Sequence, residues 1–234
     1  MSRFILFVFF FIYYMPAHAG VVMAGTRFVY DEGKSSLSIS LKNTSSTPFL
    51  VQVKVLKSDD YDNIGPLSTD FVVTPPIFLM SGGRENKVRV IQATKIDLSN
   101  KEGLFWVSVS AIPESTVSDN AVQVAIRSNY KMFYRPSNLL GRQSDAYKKI
   151  VWKRSNSTGV VIKNPTPYYV TLFDVKVNGV NENGIDMIPP FSQRSISWCS
   201  GSENCKIAWG SLNDFGGVLP MLSIAVGREW NAGV

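Results

Sequence analysis

Ser128-Asn129-Tyr130-Lys131 has the S-x-x-K spacing of a serine nucleophile activated by a lysine. It is the one nucleophile system the composition leaves open. The chain has a single histidine, His18, and it sits in a segment expected to be removed. Ser-His, Cys-His and histidine–metal chemistry are therefore all out of reach. The S-x-x-K match fails on geometry. Residues 122–133 alternate apolar and polar at first, which is strand periodicity. On a strand, positions i and i+3 point to opposite faces, so Ser128 and Lys131 cannot meet. No catalytic residues and no cofactor are expected.

Cys199 and Cys205 have five residues between them. In an oxidising compartment the default reading is a disulfide. Two thiolates without histidine leave a zinc site half built, and a redox pair would more often read C-x-x-C. A local staple across a turn is expected, contributing ~2 kcal/mol for so short a loop. No metal is expected.

The strand that carries Lys131 raises a second question. In AVQVAIRSNYKMFYRP (121–136), Val122, Val124 and Ile126 alternate on one face. A basic and aromatic cluster follows: Arg127, Tyr130, Lys131, Phe133, Tyr134 and Arg135. An alternating strand usually fills its own core. Here a polar connection, AIPESTVSDN, precedes it. An exposed apolar edge is an aggregation hazard unless something covers it. Proteins also use such edges to add a partner's strand.

The surrounding elements are short strands. The chain of 234 residues opens on MSRFILFVFFFIYYMPAHA, with Arg3, an apolar run from Phe4 to Tyr14, Pro16 and a terminal A-x-A. That order is a secretory signal peptide, residues 1–19, cleaved after Ala19. The run is too short to cross a bilayer, which needs about 20 apolar residues. The net charge of +6 is spread among acidic residues with no dense basic run, so nucleic-acid binding ranks low.

Strand signals recur at 27–30, 36–41, 49–56, 87–92, 104–111 and 122–133, with turn clusters such as DEGK and KNTSSTP between them. Seven or so short strands without a helical period suggest an antiparallel β-sandwich. A second set, at 151–152, 159–163, 168–177, 193–198, 206–209 and 219–226, reads as a smaller sandwich. The polar stretch PSNLLGRQSDA is the expected linker. This divides the chain into 20–138 and 142–234. Any repeat between the halves is expected in architecture, not in sequence.

QVAIRSNYKMFYRP resembles the last strand of domain one in the PapD-like periplasmic pilus chaperones. GTRFVYDEGKSSLSISLKN, FVVTPPIFLM, LFWVSVSAIP and LNDFGG are similar to further motifs of that family, in the family's order. Any one match is weak, and five in order are strong. The resemblance covers nearly the whole mature chain. It implies an all-β molecule of two immunoglobulin-like domains set at an angle, like a boomerang. It also implies a function: a periplasmic chaperone that binds and folds fimbrial subunits by donor-strand complementation and delivers them to an outer-membrane usher. In that mechanism the chaperone lends a strand to a subunit whose own sandwich lacks one.

By motif, Val122, Val124 and Ile126 are then the lent residues, spaced by ~7 Å along one face. Arg27 and Lys131 match the family's anchor for the subunit's C-terminal carboxylate. Glu102, Arg135 and Asp214 match its interdomain salt-bridge cluster. The short connection before Val122 is similar to the short-loop subgroup. The exposed edge of the free protein could also be capped by self-association. The alternative, a secreted structural or adhesin component of a fimbria, would be one incomplete sandwich with a donor extension.

Overall fold

Val51, Val53 and Val55 point inward and are buried, while Leu50 before them and Lys54 among them face out. The same two-residue period makes half-buried strands of Leu37–Asn43 and Glu85–Gln92. The computed structural model describes residues 20–60, 63–114, 123–155, 159–200 and 204–227. The expected signal segment, most of the polar connection at 115–120 and the expected tooth Val122 lie outside the described residues.

Two sheets form the first sandwich. One has the order β1 (Val21–Met23), β3 (Leu37–Asn43), β8 (Glu85–Gln92), β6 (Phe71–Thr74). The other runs β2 (Arg27–Asp31), β10 (Ile126–Arg135), β9 (Gly103–Pro113), β4 (Phe49–Asp60), β5 (Asn63–Leu67), with β7 (Ile77–Met80) also on β4. The chain crosses from the first sheet to the second at Gly25, whose φ of +132° a side chain would resist. Tyr30, Ile39, Leu41, Val88, Val107, Met132 and Tyr134 lie in the core between them.

A smaller sandwich follows. Its sheets are β11 (Val151–Ser155), β12 (Gly159–Lys163), β16 (Gln193–Ile196), and β14 (Val180–Asn181), β13 (Val170–Val177), β17 (Lys206–Leu212), β18 (Val218–Ala225), with β15 (Met187–Ile188) on β13. The Trp152 ring packs 5.3 Å from Trp209 and 6.3 Å from Trp198. Cys199 and Cys205 are bonded just ahead of β17.

The structure corrects three sequence readings. The strand expected from Val122 begins at Ile126, because its ladder with β9 ends at the pair Ile126–Ala111. Gln123–Ala125 are outside any strand, since a strand needs a neighbour's hydrogen bonds and none is offered there by the described residues. The expected linker is partly structural. It holds a helical turn, Gln143–Ala146, and Ala146 and Tyr147 are buried in the second core. Several short strands, β1, β5 and β15 among them, carry too few residues to show a period.

A sequence echo between the halves also emerges. Asn43 and Asn164, each after a lysine at the end of a strand, are fully buried. Asn43 Nδ2 donates to the carbonyls of Thr47 and Met80, at 2.7 and 3.2 Å. Its Oδ1 accepts from the Ser45 N–H and hydroxyl. Asn164 repeats this, donating to Tyr168, Ile188 and Pro189 and accepting from the Thr166 N–H and hydroxyl. Both asparagines satisfy loop backbone groups that burial has cut off from water. Asn164→Ala leaves buried carbonyls unpaired and should lower the stability of the second sandwich by roughly 2–4 kcal/mol. The urea midpoint followed by tryptophan fluorescence measures this; a shift within error would show that these bonds are dispensable.

Candidate functional site

β10 sits between β9, antiparallel, and β2, parallel. The two ladders differ in length. β9 pairs with β10 from Ile126 to Tyr134, whereas β2 pairs only with Lys131–Arg135. The first half of β10 therefore has a partner on one side only, and its other backbone edge is open among the described residues.

Side chains alternate along this strand. Ile126, Ser128, Tyr130, Met132 and Tyr134 share the face of the inward-pointing Ala111, Val109, Val107 and Phe105. Met132 and Tyr134 are fully buried in the core and Tyr130 is half-buried. Ile126 is 58% exposed, and Val124, just ahead of the strand, is 66% exposed. One apolar face thus leaves its own core and runs into the open. With Val22, Phe49, Pro113 and Tyr130, these two residues line a groove of about 610 Å³. Ser128 lies on this face, opposite Lys131, as the alternation requires.

The outer face of β10 carries Lys131, Phe133 and Arg135. The register places Arg27 of β2 beside Lys131, and Trp106 of β9 on its other side. The Lys131 ammonium lies 5.9 Å from the Trp106 ring centroid. It forms an ion pair with Asp186, from the second sandwich. Arg27 donates from Nη1 to the Thr171 hydroxyl at 3.1 Å, while its buried Nε has no partner among the described residues. Burial lowers the Arg27 pKa, and the charges of Asp186 and Asp214 partly offset this. Trp106 Nε1 and Asn129 Oδ1, on the same face, are likewise buried without partners. These groups form a cationic cleft between the sandwiches with hydrogen-bonding capacity left over.

Next to it is the joint. Arg135 donates from both Nη atoms to the Asp214 carboxylate at 2.8 Å, a bidentate pair across the domains. Its Nε donates to Glu102 Oε1 at 2.7 Å. The other Glu102 oxygen accepts the Tyr169 N–H of the second sandwich at 2.8 Å. Glu102, Arg135 and Asp214 are therefore brought together as one network. Leu104, Phe133 and Met187 pack beside it as an apolar seam between the two cores, flanked by Trp106 and Tyr169. Sequence reading missed Asp186, Thr171 and Tyr169. Nothing local marks them, since they matter only through the fold that sets the second sandwich against the first.

Residues 20–140 match the family model for the N-terminal domain of PapD, a pili and flagellar-assembly chaperone, and 145–221 match that for its C-terminal domain. This chain is a PapD-family pilus-assembly chaperone. It is 38% identical over 205 residues to a fimbrial chaperone, YcbF, of Escherichia coli K12, covering 86% of each chain. It is 33% identical over 213 residues to the chaperone FimC of the same strain, covering 88% of this chain and 85% of that one. Among solved structures, the E. coli chaperone DraB is similar at a TM-score of 0.76 and 30% identity, over 88% of this chain and 96% of DraB. The Salmonella enterica chaperone SafB, in complex with the SafA pilin, is similar at a TM-score of 0.77 and 26% identity, over 88% and 96%.

The charges of the joint carry a pH signature. Burial pushes the Glu102 carboxyl up to about 7, against the pull of Arg135 and the Tyr169 N–H. Burial opposes the Arg135 cation too, but its bonds to Asp214 and the charge of Glu102 hold it above its ordinary value. Because Arg135 is shared with Asp214, it does not fully offset the burial of Glu102. Between the ordinary carboxyl value of 4.5 and about 7 the folded chain holds a proton that the unfolded chain has released. This group's contribution therefore rises as pH falls through that window and is absent above it. Relative to Glu102→Gln, the wild type should gain up to about 3 kcal/mol between about pH 7.5 and pH 4.5. Urea unfolding across that range reads the difference; parallel profiles would place Glu102 as ionised throughout.

Proposed function

We propose that this chaperone captures fimbrial subunits by lending them the opening half of β10 together with the segment just ahead of it. Val124 and Ile126, with Val122 as the third tooth, enter successive pockets of a subunit whose sandwich lacks a strand. The open backbone edge of β10 supplies main-chain hydrogen bonds to the subunit. Arg27 and Lys131 grip the subunit's C-terminal carboxylate and so set the register, since a one-residue slip would turn every tooth to the wrong face. The observation that carries this reading is the burial change along one strand face: Met132 and Tyr134 are buried, Ile126 is 58% exposed and Val124 is 66% exposed. The pilin-bound state of the similar SafB structure supports it.

The Glu102–Arg135–Asp214 network serves to fix the angle between the domains 20–138 and 142–234, a role for which buried ionic groups suit better than for adding stability. The chain works in the periplasm after cleavage behind Ala19. Delivery to an outer-membrane usher completes the cycle. Leu50, Ile77, Leu79 and Ile112 are exposed, and Leu50 pairs directly with both Leu79 and Ile112 on the outer face. A partner docking on this strip would leave the lent edge free for the subunit. The fimbrial-component alternative is not favoured, because both sandwiches fill their own cores.

Each apolar tooth is worth roughly 1.5–3 kcal/mol on burial. Ile126→Asp loses that and places an unpaired charge in a pocket, so subunit binding should fall at least about tenfold. Arg27→Ala and Lys131→Ala should abolish capture while the variants still fold. Co-purification of co-expressed fimbrial subunits from the periplasm measures all three. Undiminished capture by Ile126→Asp would end the lent-strand assignment; full protection of subunits by either cation variant would end the anchor.

A further inference from the structure

Arg27 and Lys131 sit side by side on adjacent strands, in direct register. Neighbouring strands lie only about 4.8 Å apart, and like charges directly opposite repel. Lys131 is also largely enclosed, with a side chain 16% exposed between the Trp106 ring and the second sandwich. Two cations so placed require an anion, and the molecule provides one. Asp186 immediately precedes β15, and its carboxylate pairs with the Lys131 ammonium.

The two partners are held differently. The backbone of Asp186 is fixed, because its carbonyl accepts the Leu172 N–H at 2.8 Å and Met187 and Ile188 after it are fully buried. Its side chain, in contrast, is 59% exposed. It can swing into water and stay hydrated at little cost, whereas Lys131 is held between the Trp106 ring and the second sandwich. Resting on the proposed carboxylate anchor, we infer that Asp186 is a placeholder for the subunit's terminal carboxylate. It occupies Lys131 while the cleft is empty and gives way when a subunit arrives.

Asp186 thereby sets the threshold for anion capture. An incoming carboxylate must outcompete it, so a ligand held by Lys131 alone gains little. One that also engages the Arg27 guanidinium, whose hydrogen bond within the cleft is to the neutral Thr171 hydroxyl, gains a charge-assisted contact that Asp186 does not make. The placeholder favours two-point carboxylate ligands over stray anions.

The test uses the mature chaperone, Asp186→Asn and Asp186→Ala. The probe is a short peptide of alternating apolar and polar residues ending in a free carboxylate, against the same peptide ending in an amide. The wild type should prefer the acid. Both variants should bind the acid about two- to fivefold more tightly, the scale of a partly exposed ion pair, and the amide unchanged. In a Lys131→Ala background, Asp186→Asn should change nothing. Equal or weaker binding of the acid by the variants, with the wild-type preference for the acid intact, would show that Asp186 merely supports Lys131 and would overturn the placeholder. Absence of any acid preference in the wild type would instead remove the anchor, and the placeholder with it.

Discussion

The register of β10 between β9 and β2 is the constraint on which the molecule depends. A strand's side chains alternate with a period of two, so fixing one pair fixes every other. With Lys131 set beside Trp106 and Arg27, Met132 and Tyr134 fall into the first core. Phe133 and Arg135 fall against the second sandwich. Ile126 falls on the core-facing side, beyond the point where the core ends. One ladder thus builds the core, the joint and the open edge together.

The joint and the cleft share an electrostatic logic. Arg135 is satisfied on both sides by carboxylates, one in each sandwich. Among the described residues, Arg27 and Lys131 have between them one exposed carboxylate and a hydroxyl. The first set is closed and holds the domains together. The second is left partly open, with buried polar atoms unpaired, and burial works against the Arg27 charge. Buried groups without partners are costly, and the proposed subunit carboxylate would offset part of that cost here.

Much of this was legible in advance because it is local. Alternation in 122–133, the paired cysteines and the turn clusters all speak through neighbouring residues. Glu102, Arg135 and Asp214 were nameable from their motifs, and they do meet. The limits were equally physical. The strand was read as starting at Val122, because periodicity does not reveal where a partner strand stops. The stretch 136–146 reads as polar connection, although its last residue, Ala146, closes a helical turn and is buried in the second core. The matched roles of Asn43 and Asn164 were invisible until their loops were seen to close the same way.

The sequence by itself determined the chemistry that is available: no histidine beyond His18, one cysteine pair, and an alternating apolar strand running into a basic and aromatic cluster. These follow from residue type and period, which need no neighbours. Only the tertiary structure decided where β10 leaves its core, which edge of it stays open, and that Asp186 faces Lys131. Those are relations between segments 15 to 104 residues apart along the chain, set by sheet pairing and domain packing. No stretch of sequence read alone contains them.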